Sequence, residues 1–342
     1  MTQEIPGLLK GAVFPAANTR LFGHQKAENF LARTYASGKM HHALVIEGPE
    51  GIGKATLAFR FAFHILHNPD SQNAPDSLGP PDPSSPAVKQ IIAGASHDFL
   101  YLSYPCDEKT GKIRTMIPVS AIRRIHQFLS LKSVTGNWRI VMIDPADGMN
   151  RNAANAMLKI LEEPPKRVLF ILLSHVVGKL LPTVRSRCIT LTLSPLSETD
   201  LEKALQHLGL SLSAQQIEIL RLSAEGSVSE ALKLLKYQGH KIMTAYTQFK
   251  EEEEEYVATK IMHQLMNDLS AKGDQVSFSF FVNLVTGDLV NRAKGAALSG
   301  HLEEAERIAR LYSVIHERLE SASIYNLDKK HSIFQVLDAI RQ

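Results

Sequence analysis

The chain has 342 residues, 44% of them hydrophobic and 21% charged, and carries a net charge of +3. That length predicts two or three domains with ordinary packed cores, and so mild a charge excludes binding nucleic acid by bulk charge alone. Two cysteines, Cys106 and Cys188, exclude a disulfide framework or a four-thiolate zinc site, and no apolar run approaches the roughly 20 residues of a bilayer span.

Residues 24–36 place Ala27, Phe30, Leu31, Thr34 and Tyr35 at helical spacing, with a stop at Ser37-Gly38. A short apolar run, Ala43 to Ile46, breaks into Gly48-Pro49-Glu50-Gly51-Ile52-Gly53-Lys54. A helix follows with Ala58, Phe61, Ala62, Ile65 and Leu66 on one face. Residues 68–97, rich in Pro, Ser, Asp and Asn, predict an exposed loop inserted in the first domain. Beyond it the pattern predicts a strand from Phe99 to Tyr104 and a helix from Val119 to Leu131 with Ile122, Ile125 and Leu129 inward. Three more strands are expected at Arg139 to Ile143, Val168 to Leu173 and Ile189 to Leu193. The last alternates apolar and threonine residues, as a half-exposed strand does. A helix from Asn150 to Glu163, stopped by Pro164-Pro165, lies between the first two. Strands alternating with helices predict an α/β domain with a mostly parallel sheet in three layers, over residues 1–195. Three short helices follow, Ser197 to Leu208, Ser213 to Ser223 and Ser227 to Lys236, the last opened by a Ser227/Glu230 capping box. They make a small helical domain over 196–240, and 241–342 reads as a larger helical domain.

The segment Gly48 to Lys54 fits G-x-x-x-x-G-K between a strand and a helix. Glycines let backbone N–H groups wrap a phosphate at the helix N-terminus, and the lysine reaches the outer phosphates. Position 55 ordinarily supplies a magnesium-binding hydroxyl, but here it is Ala55, and Thr56 comes one residue late. Strand Arg139 to Ile143 ends at Asp144, a magnesium-side carboxylate. In AAA+ enzymes the next residue is usually a glutamate that polarises water; here it is Pro145, and Asp147, the alternative carboxylate, falls beyond the strand end. General-base catalysis supplies roughly 10²–10⁴ in rate, so efficient turnover by this chain is not expected.

Three further segments carry a resemblance. Asp144 to Pro165 holds Asn152-Ala-Ala-Asn-Ala-Met-Leu-Lys-Ile-Leu-Glu-Glu-Pro-Pro165, Leu181 to Cys188 holds Ser186-Arg187-Cys188, and Phe22-Gly-His-Gln25 lies near the start. Together they resemble the AAA+ clamp-loader subunits of bacterial DNA polymerase III over most of residues 20–190, and within them the non-hydrolysing delta-prime branch. The resemblance implies an AAA+ module, a three-helix lid and a helical collar that joins five subunits. It implies that Arg187, with Arg185 the weaker candidate, projects toward ATP held by the adjacent subunit as an arginine finger. The alternative is a surface arginine paired with a nearby acid. Arg185, Ser186 and Cys188 would then line the partner interface. The vestigial nucleotide site would comprise Gly48, Gly51, Gly53, Lys54, Thr56, Asp144 and Ser174. Ser174 falls at a γ-phosphate sensing position, although a strand-ending serine is an equal reading. Ser229 occupies a lid position where hydrolysing members often carry arginine. The family's four-cysteine zinc module is missing, so no zinc is expected. No cofactor is required, and weak ATP or ADP binding at the Lys54 loop is left open.

The implied role is a stator that is not itself an enzyme. Its partners would be the motor (gamma/tau) and wrench (delta) subunits, with the sliding clamp and primed DNA reached mainly through the complex, in the cytoplasm and away from membranes. The rival readings are an active AAA+ ATPase and a purely structural adaptor. Arg114, Arg123, Arg124, Lys132 and Arg151 could form a basic surface toward DNA, although charged helix faces are ordinary. The run Glu251 to Glu255 reads as a solvated face of the collar's first helix. His41, His42 and Trp138 read as structural residues.

Overall fold

A computed structural model describes residues 8–106, 113–130, 137–176, 178–270, 275–325 and 328–341. The chain forms two compact units, Met1–Ala231 and Leu232–Gln342. The boundary falls inside the third helix expected for the small helical domain.

The first unit alternates α1 (Gln25–Ala36), β1 (Ala43–Glu47), α2 (Lys54–His67), α3 (Pro86–Ile92), β2 (Phe99–Ser103), α4 (Val119–Ser130) and β3 (Arg139–Asp144). It continues through α5 (Arg151–Glu162), β4 (Val168–Ser174), α6 (Pro182–Arg185), β5 (Ile189–Thr192), α7 (Glu198–His207), α8 (Ala214–Ser223) and the start of α9 (Val228–Lys236). The strands form one sheet in the order β2-β3-β4-β1-β5, and every pairing is parallel. Successive side chains of a strand point to opposite faces, and here both faces are covered. Leu44, Ile46, Ile140, Met142, Leu169 and Ile171 pack with α1 and α2 on one side. Ala43, Val45, Val141, Ile143, Phe170 and Leu172 pack with α4 and α5 on the other. Central β1 and β4 are buried along their whole length, which is why they read as continuous apolar runs. Helix α2 is buried on all sides except at Ala55 and His67.

Three expectations need correction. Residues 68–97 are not simply an exposed loop: they contain α3, whose Val88 and Ile91 are buried, and Leu78 joins the same core. Polar composition averaged over the segment hides these few apolar anchors. In β5 the alternation does not predict burial, because this edge strand pairs only with β1 and leaves Ile189 39% exposed. The glutamate run does not lie on one helix face. Helix α10 (Gly239–Glu251) ends at its first residue, and α11 (Glu255–Leu269) begins at its last. Five adjacent carboxylates repel within a helix, whereas acids at the start of α11 face the positive end of its dipole.

Two helix starts are capped by side chains, the second through the serine arm of the box expected at Ser227 and Glu230. Asn150 caps α5 by accepting a hydrogen bond from Ala153 N–H at 2.8 Å. At α9, Ser227 Oγ accepts from Glu230 N–H at 3.2 Å. A complete capping box stands at Ser213 and Gln216, opening α8. Trp138 packs edge-on against Tyr35 at 5.8 Å. His41 and His42 lie 4.2 Å apart and bond the carbonyls of Ala43 and Leu161.

The second unit holds α10, α11, α12 (Gln275–Leu298), α13 (Leu302–Tyr325) and α14 (Lys329–Arg341). Its core includes Tyr246, Phe249, Phe281, Val285 and Leu337. Asp288 accepts from the Tyr246 hydroxyl at 3.0 Å and from Lys250 Nζ at 2.7 Å. No helix among the described residues is long and apolar enough to cross a membrane.

Candidate functional site: a phosphate loop and an arginine edge

Parallel pairing brings the carboxyl ends of the strands to one side. The register sets Glu47 beside Ser174, and Ser103 beside Asp144. Such an edge is where open α/β sheets place their ligands. The loop between β1 and α2 leaves from it: Gly48 N–H donates to Ser174 O at 3.2 Å, and Leu193 N–H donates to Glu47 O at 2.8 Å. Gly48 and Gly51 take φ values of +148° and +77°. A Cβ at Gly48 would lie 2.5 Å from Leu193 O, and one at Gly51 would lie 2.4 Å from Ser227 Oγ. Only glycine fits either place. Gly53, at φ +106°, caps α2.

Two outside elements hold this loop. His24, from the Phe22-Gly-His-Gln25 segment, places Nε2 2.6 Å from Ile52 O. A carbonyl only accepts, so Nε2 carries the proton. From the other side Ser227 Oγ donates to Glu50 O at 2.8 Å and Val228 N–H donates to Gly51 O at 3.0 Å. Ser229 lies against Gly51, where an added Cβ would come within 2.5 Å of its own Cβ. The loop thus packs directly on the first turn of α9.

Lys54 is 4% exposed, and its ammonium donates to Gly48 O at 2.7 Å and Pro49 O at 2.5 Å. Burial lowers its pKa to about 8, although Asp144, Glu50 and Asp147 pull the other way. Ala55 packs its methyl group against the core, and Thr56 is buried. Asp144 accepts from the Tyr101 hydroxyl at 3.0 Å and lies 3.5 Å from His175 Nε2. Asp147 sits past the strand end in the 3-10 turn Ala146–Gly148. Its Oδ1 accepts from His175 N–H at 3.0 Å, and its Oδ2 lies 3.9 Å from Lys179. Ser174 is buried, and its hydroxyl donates to Val176 O at 3.0 Å. Tyr104 lies near the same carboxylates, and burial pushes its hydroxyl up to about 12.

The predicted pocket residues therefore gather at one sheet edge. Sequence reasoning missed Tyr101, Tyr104, His175 and Glu47. His175 had a signal, since it follows Ser174 at the end of an apolar strand. The tyrosines had none, because β2 is a sheet neighbour of β3 only in three dimensions.

The second part of the site is Arg185 to Cys188, just before β5. Arg185 turns inward: its Nη2 lies 3.3 Å from Oε1 of buried Glu47, which also accepts from Thr192 Oγ1 at 2.8 Å. Arg187 turns to α5, where Nη2 meets Glu162 Oε1 at 2.7 Å and Nη1 donates to Thr183 O at 2.9 Å. Its side chain remains 36% exposed. Ser186 Oγ donates to Thr183 O at 3.1 Å. Cys188 Sγ lies 3.2 Å from Val184 O, and burial raises its thiol to about 11. That is an unreactive packing cysteine.

A family described as "DNA polymerase III, delta subunit" matches residues 23–197, just over half of the chain. This chain belongs to that family. It is a clamp-loader family of the AAA+ class, and the match spans both the phosphate loop and the arginine edge. DNA polymerase III subunit delta' of Pseudomonas aeruginosa is 35% identical over 149 residues, 43% of this chain and 42% of the relative. Subunit delta' of Escherichia coli is 29% identical over 210 residues, 60% of this chain and 58% of the relative. Subunit gamma of Buchnera aphidicola is 28% identical over 230 residues, 66% of this chain and 59% of the relative. The chain thus spans about half the length of the curated relatives it matches.

Among the described residues, no three His, Cys, Asp or Glu side chains are grouped to hold a metal ion. Arg114, Arg123, Arg124 and Arg151 are exposed. Lys132 lies outside the described residues.

Proposed function

We propose that this chain is the non-hydrolysing, delta-prime-type stator of the DNA polymerase III clamp loader. It lends Arg187 in trans to ATP held by a neighbouring motor subunit. The observation that carries the reading is the setting of Asp144. Ala55 offers a methyl group where a magnesium-binding hydroxyl is needed, and Pro145 has no base. The next carboxylate, Asp147, is buried and held by His175 N–H. Ser229 supplies no cation from the lid. ATP or ADP, if retained at Lys54, would be held without efficient turnover, and no zinc is needed.

Arg187 has the opposite character. A planar guanidinium matches a phosphoryl group in two-pronged fashion, and this one is accessible at the surface. Placed against the transferring group of a neighbour's ATP, it stabilises the charge spread over the equatorial oxygens, an effect worth roughly 10³–10⁵ in rate. The motor and wrench subunits are then the direct partners. The clamp and primed DNA are reached through the complex, in the cytoplasm.

Steady-state ATP hydrolysis tests the reading. The purified chain alone is expected to show almost none, and Arg187→Ala is expected to depress hydrolysis by the reconstituted complex. Robust turnover by the isolated chain rejects the proposal. That result would favour the second reading, an active motor subunit, which has one observation behind it: the gamma relative aligns over more of this chain than either delta' relative. Full hydrolysis by the complex with Arg187→Ala would leave a structural adaptor.

A further inference from the structure

We infer that Glu162 is a built-in counter-ion of Arg187, a positioning residue that the neighbour's triphosphate must displace. The inference rests on the trans-arginine reading above and adds a residue to it.

Glu162 is the last residue of α5. An acid there faces the negative end of the helix dipole, which is unfavourable. Local helix preference therefore does not account for it. Its contact does: Oε1 receives Arg187 Nη2 at 2.7 Å across 25 residues of sequence. The second arm of the guanidinium is fixed separately, since Nη1 donates to Thr183 O at 2.9 Å. One N–H edge is thus tied to backbone and the other to a carboxylate.

A phosphoryl oxygen is chemically the same acceptor as that carboxylate and would take the same Nη2. The pair is open to exchange, because Arg187 and Glu162 are 36% and 50% exposed. Exposed ion pairs are weak, while a triphosphate carries more charge than one carboxylate. The Thr183 carbonyl keeps the fork aimed during the exchange. Arg185 cannot serve in this way, because Glu47, its acid, is buried and shared with Thr192. Glu162 therefore keeps the arginine neutralised in the free subunit and sets a threshold that an ATP-filled neighbour passes more easily than an empty one.

The test is association of the full chain with motor subunits loaded with a non-hydrolysable ATP analogue, followed by fluorescence anisotropy. Glu162→Gln keeps the shape and removes the charge. It is expected to lower the midpoint by about 1.5- to fivefold, the range an exposed pair supports. In an Arg187→Ala background the same change is expected to move nothing. An unchanged or raised midpoint in the native background overturns the inference, as does an equal shift without Arg187. Failure of the underlying reading shows separately, as full hydrolysis by the complex with Arg187→Ala alone.

Discussion

Two arginine–glutamate pairs in the first unit close at the same 2.7 Å, yet they differ sharply in burial. In Glu28–Arg60 the side chains are 7% and 8% exposed, and in Glu162–Arg187 they are 50% and 36% exposed. Arg60 turns its two terminal nitrogens to Thr19 O at 3.0 Å and Leu78 O at 3.3 Å. It therefore fastens the N-terminal segment and the 68–97 insertion to α2. A charge desolvated this far cannot leave its partner cheaply. Arg187 stays wet on one side, as the exchange of partners proposed above requires. Burial, more than distance, separates a structural arginine from a donor offered outward.

Breaking each pair should expose this difference, and the largest effect is expected at Arg187. Its replacement by alanine should cut neighbour-dependent ATP hydrolysis by about 10³ or more, while shifting the chain's own unfolding by less than about 1 kcal/mol. Arg60→Ala should do the reverse. It strands Glu28 as a buried unpaired charge and should cost about 3–5 kcal/mol. Urea unfolding followed by the fluorescence of Trp138, the chain's one tryptophan, reads this in the first unit. An Arg60→Ala protein as stable as the native one would sink the burial argument.

A third cation sharpens the comparison, because Lys54 is buried against carbonyl dipoles rather than a bonded acid. Its folded pKa of about 8 lies below the ordinary 10.5. The unfolded chain therefore holds the proton more tightly, and stability rises as pH climbs from about 8 to 10.5. Below that window the full cost of the buried ammonium is present. Lys54→Met removes this titration and should flatten the rise. Denaturant titrations at about pH 7, 9 and 10 check it, and a Lys54→Met protein whose stability still climbs across that window would refute the assignment to Lys54.

Much of this was legible in the linear order of residues. The glycines of the phosphate loop declare themselves because only glycine takes their φ values at such close approach. Ala55 and Pro145 stand out as well, because a methyl group and a proline ring carry no side-chain group for proton transfer or metal binding in any fold. Less legible was the insertion, where Val88 and Ile91 are too few to raise the average hydrophobicity of a polar segment. The glutamate run misled for a related reason, since charge density alone does not tell a helix face from a break between two helices.

The sequence by itself determined the α/β order, the phosphate-loop turn and the missing magnesium hydroxyl, since periodicity, glycine freedom and side-chain chemistry are local properties. Only the tertiary structure decided which acid each arginine meets, and that Asp144 is bonded by Tyr101 and His175. Those contacts join residues dozens of positions apart, and their strength depends on how far folding takes each charge from water.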